Sequence, residues 1–119
     1  MDFRAIILVI GIWKEAPTKE NRLPAYVILT QEKIRNESRL NEYRQPVPAS
    51  FQKHPAKFRA IHGRHQVLEG SAIEEIVILE FPSCEDATAC YHSPEYQAAR
   101  EHRFQGGDYR CIITEGLAI

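Results

Sequence analysis

The chain has 119 residues, 44% of them hydrophobic and 26% charged, with 15 Lys+Arg against 16 Asp+Glu for a net charge of −1. That length fits one domain with a modest core, and the balanced charge leaves no electrostatic footprint for nucleic acid or an anionic membrane. The three cysteines, Cys84, Cys90 and Cys111, are odd in number and lack framework spacing, so they are expected reduced and mostly buried rather than paired in a secreted scaffold.

At the N-terminus, the apolar run from Ala5 to Trp13 is too short for a bilayer, which takes about 20 residues. It also lacks a basic leader and a small-residue cleavage site, so a cytoplasmic protein is expected. Ala16–Arg22 is polar, holds a proline and reads as a linker. Residues 1–22 are therefore read as an extension or arm, and residues 23–119 as a single compact domain.

Ala25–Thr30 is rich in β-branched and aromatic residues and predicts the first strand. Asn36 is a candidate helix cap, and Leu40, Tyr43, Val47 and Phe51 follow at helical spacing. Pro46 and Pro48 kink or split that helix, and His54-Pro55 ends it. Lys57–His62 predicts strand two, stopped by Gly63, with Val67–Gly70 as a short continuation. Glu75–Phe81 is almost continuously apolar, the pattern of a central strand covered on both faces. Ser83 with Asp86 three residues on forms a variant capping box, so a helix starts there and runs to about His92. Ser93-Pro94 restarts a helix, which Gly106-Gly107 terminates. Tyr109–Thr114 is the last strand.

The order β-α-β-β-α-β is the ferredoxin-like arrangement, an α+β fold with a four-stranded antiparallel sheet and helices on one face. The other face needs a cover, because the third strand is apolar on both sides. Only the N-terminal arm or a second copy is available, which points to a homodimer packed sheet on sheet.

Several segments then carry a resemblance: Leu23-Pro24-Ala25-Tyr26-Val27-Ile28, Val67-Leu68-Glu69-Gly70, Ile76–Ser83, Tyr91–Gln97 and Glu115-Gly116. Together they resemble the bacterial family called domain of unknown function 1330, over about Leu23 to Gly116. The resemblance implies the dimeric α+β barrel superfamily, whose members include haem-degrading and quinone-forming monooxygenases, muconolactone isomerases and chlorite dismutases; it implies no settled reaction. Relatives of this family begin Met-Pro-Ala-Tyr where this chain has Leu23-Pro24-Ala25-Tyr26, so Leu23 is read as the natural start. Around strand two the family has a glycine pair, an arginine and a second glycine pair. Here those places hold Pro55-Ala56, Ile61 and His62-Gly63. Arg59, two residues before Ile61 and so expected on the same sheet face, is a candidate replacement for that arginine.

The candidate catalytic residues are Glu80 and Arg103. Glu80 shares a strand face with Ile76 and Ile78, where a carboxylate would have a raised pKa and suit acid–base work. Its bland alternative is a structural ion pair at the strand end. Arg103 matches an arginine of the family and shares a helix face with Tyr96 and Arg100, a set able to hold a carboxylate or enolate. The alternative is a solvated basic face paired with Glu95 and Glu101. Arg59, His62, Tyr43, Tyr96 and Arg100 complete the expected substrate-binding set. His54, His62 and His65 lack metal-ligand spacing, and His92 sits at a helix end, so neither a metal nor another cofactor is expected. Two functions stay open: a cofactor-independent oxygenase or isomerase acting on a small organic acid, phenol or enone, and a non-catalytic homodimer that binds a small molecule or supports a partner.

Overall fold

The structure is a computed structural model that describes residues 23–47, 51 and 53–118. The expected arm over residues 1–22 lies outside the described residues, as does part of the Pro48 turn. Among the described residues, seven elements follow in order: β1 (Ala25–Ile34), α1 (Glu37–Arg44), β2 (Lys57–Ile61), β3 (Glu75–Phe81), α2 (Cys84–Tyr91), α3 (Pro94–Gly106) and β4 (Gly107–Glu115). The strands form one antiparallel sheet in the order β2-β3-β1-β4, as the ferredoxin-like reading requires.

The helices start where side chains can satisfy their free N–H groups. The Asn36 side chain accepts from Arg39 N–H, Ser83 Oγ from Asp86 N–H and Ser93 Oγ from Tyr96 N–H. The Ser83 hydroxyl also donates to the Asp86 carboxylate at 3.0 Å. α1 ends at Arg44, two residues short of Pro46, whose missing N–H cannot extend it. The Val67–Gly70 segment is exposed and is not a strand.

Alternation divides the sheet. Ala25, Val27 and Leu29 of β1 face the helices together with Leu79 and Phe81 of β3, and with Ala87 and Cys90 of α2 they make the main core. Fully burying a side chain the size of Phe81 or Leu79 is worth about 1.5–3 kcal/mol. A second cluster of Tyr43, Tyr96 and Ala99 joins α1 to α3. Gly106 lets those helices meet: a Cβ there would stand 2.6 Å from Leu40 Cδ2 and 3.0 Å from its backbone nitrogen.

The opposite face carries Ile28, cross-strand from both Ile78 and Ile112, and no helix among the described residues covers it. Ile112 is 43% exposed. No helix among the described residues is long and apolar enough to cross a membrane.

Candidate functional site

β1 runs further than its apolar signature suggests. Beyond Thr30 it continues to Ile34, pairing with Tyr109, Asp108 and Gly107 of β4 across a bulge between Gln31 and Lys33. The inward column Ala25, Val27, Leu29 therefore gains a fourth member, Gln31. It is 1% exposed, and neither its amide oxygen nor its nitrogen has a hydrogen-bond partner among the described residues. An unpaired buried amide is costly, so a native structure that keeps one calls for an explanation.

Gln31 lines a cavity of about 230 Å³ between the helix-facing side of the sheet and α1. Leu29, Val77 and Leu79 form its floor, Phe58 and Ile61 of β2 one wall, and Val47 and Phe51 part of the cover. The polar groups on its lining are Gln31, Tyr43, Arg44, His62, Glu75 and Tyr109. The volume lies below the roughly 300–1,000 Å³ of pockets for drug-sized ligands and suits a single-ring molecule.

From the lining, Tyr43 reaches back to Tyr96 through a hydroxyl–hydroxyl hydrogen bond of 3.0 Å. Arg103 is 2% exposed and lies over the rings of Tyr109, Phe104 and Tyr43 at 5.0, 5.2 and 5.9 Å. Its Nε has no hydrogen-bond partner among the described residues. Ring faces stand where a carboxylate would be expected. Burial pushes the Tyr43 phenol well above its ordinary range, reinforced by Tyr96 and opposed by Arg103. Tyr96 is raised for the same first reason and opposed first by Arg103. Burial also raises Tyr109.

At the mouth, His62 directly follows β2 with φ of 52°, the left-handed region that favours glycine. Its Nδ1 stands 2.7 Å from the Glu75 carboxylate, and Arg44 lies 4.0 Å from the same group.

Of the residues singled out in the sequence, Tyr43 and His62 line the cavity, and Tyr96 and Arg103 lie one layer behind it. Arg100 turns aside, donating to Tyr91 Oη at 2.9 Å and lying over the rings of Tyr91 and Phe104. It does not line the cavity. Arg103 pairs with neither Glu95 nor Glu101; Glu95 takes Lys53 at 3.2 Å, and Glu101 stands 3.9 Å from Arg100.

Glu80 does share a face with Ile76 and Ile78, but this is the open face, turned away from the cavity. There Arg59 donates to it at 2.9 Å, so the ion-pair reading describes its surroundings. Arg59 and Ile61 do not share a face. A bulge between Phe58 and Ala60 adds a residue to β2 and shifts the alternation, so Ile61 lines the cavity while Arg59 reaches Glu80. The polar lining residues that the sequence does not single out are Gln31, Arg44, Glu75 and Tyr109. The alternation of β1, carried one step past its apolar run, marks Gln31. Nothing local marks Glu75 as the partner of His62.

The comparisons bear on this geometry at the level of family and fold. The family model described as Domain of unknown function (DUF1330) matches residues 24–117. The chain belongs to the DUF1330 family. No curated protein matches this DUF1330 chain in sequence. Among solved structures, a protein of unknown function from Rhodopseudomonas palustris is 19% identical with a TM-score of 0.66, covering 87% of this chain and 97% of that one. A dimeric protein of unknown function and ferredoxin-like fold from Bacteroides fragilis is 18% identical with a TM-score of 0.54, over 78% and 96%. SnoaB, a cofactor-independent oxygenase from Streptomyces nogalater, is 6% identical with a TM-score of 0.58, over 82% and 96%. At these identities the neighbours show that the DUF1330 chain has their fold.

Proposed function

We propose that the cavity binds a small, single-ring or similarly compact molecule whose apolar body carries a carbonyl, carboxyl or phenol group. The observation that carries this reading is Gln31: an amide that is 1% exposed, has no hydrogen-bond partner among the described residues at either polar atom, and stands on the cavity wall beside the aliphatic floor. Its N–H₂ would donate to a ligand carbonyl and its oxygen would accept from a hydroxyl, removing the cost of the unpaired groups.

The chemistry proposed for such a ligand is oxygenation or isomerisation without a cofactor. SnoaB, a cofactor-independent oxygenase, shares the fold, and the polar groups at the mouth of the cavity are suited to moving protons. A non-catalytic binding protein is the second reading. It is favoured by one observation: neither Glu80 nor Arg103 lines the cavity.

The protein is further proposed to act in the cytoplasm as a homodimer, with a second copy covering the row Ile78–Ile28–Ile112. The Bacteroides fragilis neighbour is described as dimeric, an apolar face paired with itself meets the symmetry of a two-fold contact, and three free thiols suit a reducing compartment.

Titration with 4-nitrophenol, followed by its absorbance, tests the cavity. Saturable binding to the native chain, weakened at least about tenfold in Gln31→Leu, is expected from the loss of a buried hydrogen bond worth about 1.5 kcal/mol. Equal binding by both proteins removes Gln31 from the site.

A further inference from the structure

We infer that His62 and Glu75 form a proton-transfer dyad that isomerises a small enone or keto acid held in the cavity. The inference rests on the cavity being a ligand site.

His62 belongs to the cavity lining although its backbone sits at φ of 52°, where an L side chain is strained. The backbone N–H of His62 donates to Ile76 O at 3.3 Å, which ties the residue to β3. The imidazole then meets Glu75 at 2.7 Å through Nδ1. An ionised carboxylate only accepts hydrogen bonds, so Nδ1 carries a proton, and in the neutral ring Nε2 then keeps its lone pair. Arg44 of α1 stands 4.0 Å from the same carboxylate. The other titratable groups on the lining are the Tyr43 and Tyr109 phenols, both raised by burial and so neutral at neutral pH. The imidazole is thus a lining side chain placed to take up a proton there, with Glu75, itself on the lining, fixing its tautomer and offsetting the charge it gains.

The reaction balances without a co-reactant. Nε2 takes a proton from the carbon between a carbonyl and an isolated C=C bond. The electron pair of the broken C–H bond passes into the π system, leaving a dienolate whose negative oxygen accepts from the Gln31 amide. The imidazolium returns the proton to the far carbon of the former double bond. One C–H bond breaks and one forms, the double bond moves into conjugation, and nothing is oxidised.

The test pairs 4-nitrophenol binding with turnover of cyclohex-3-enone to cyclohex-2-enone, read as the rise in conjugated-enone absorbance. Three proteins are compared: native, His62→Gly and Glu75→Gln. Glycine suits the left-handed backbone, so loss of fold does not explain loss of rate. The native protein is expected to bind the phenol and to exceed His62→Gly by about 100-fold, the low end for a positioned base. Its rate should fall on acidification, free imidazole should partly restore His62→Gly, and Glu75→Gln should lose rate while retaining phenol binding. Phenol binding with equal turnover by native protein and His62→Gly, or with no turnover by either, overturns the dyad and leaves the binding site standing. Absence of phenol binding overturns the site itself.

Discussion

At position 31 the inward column of β1 exchanges an aliphatic side chain for an amide, and at position 103 the buried face of α3 carries a guanidinium. Both substitutions are expensive in a small core, and both lie at or just behind one cavity. Arg103 has no direct reach into the cavity lining; it acts through the rings it covers, and it opposes the rise that burial imposes on Tyr43 and Tyr96. A raised folded pKa means that these phenols contribute fully to stability below their unfolded value of about 10, and that the contribution is lost as pH rises through the folded value. Removing the cation moves the folded value further up. In Arg103→Met, phenolate absorbance is therefore expected to develop at higher pH than in the native protein, on the still-folded chain. An unchanged titration would show that Arg103 does not act on these rings.

Among the elements, the parts legible in the sequence are those decided locally. Asn36, Ser83 and Ser93 cap their helices because a short polar side chain reaches a backbone N–H three residues on. The Glu75–Phe81 strand follows from its own apolar run. What the sequence conceals is set between elements. The bulge at Arg59 depends on how β2 registers against β3, and it sends that arginine to the opposite face from Ile61. Glu80 is correctly grouped with Ile76 and Ile78, yet which face the helices cover is decided by the whole sheet. Gly106 stands at the end of α3, as its sequence position suggests, and it also lets α3 touch α1. Gly106→Ala places a Cβ 2.6 Å from Leu40 Cδ2 and 3.0 Å from Leu40 N. A loss of about 1–3 kcal/mol in denaturant unfolding is expected, the range for overpacking. A loss near zero would mean that the α1–α3 contact yields more easily than its geometry indicates.

For the molecule as a whole, the two faces of the sheet divide the work. One face builds the core and the cavity, and the other presents the row Ile78–Ile28–Ile112 with the Arg59–Glu80 pair beside it. Sedimentation velocity should find a dimer for the native chain and a folded monomer for Ile78→Lys, because a charge buried without a partner in the contact would outweigh the apolar gain. A native monomer would contradict the proposed cover.

The cavity is the centre of the functional reading, and a site kept for a ligand carries a stability cost that a purely structural residue does not. The melting temperatures of native protein and Gln31→Leu, each with and without saturating 4-nitrophenol, measure that cost. The variant is expected to melt higher than the native protein without ligand, by the equivalent of about 1–3 kcal/mol recovered from the unpaired amide, and to lose the rise that the phenol gives the native chain. A variant that melts lower and keeps the full rise would show that Gln31 serves the fold and that the ligand, if bound, is held elsewhere.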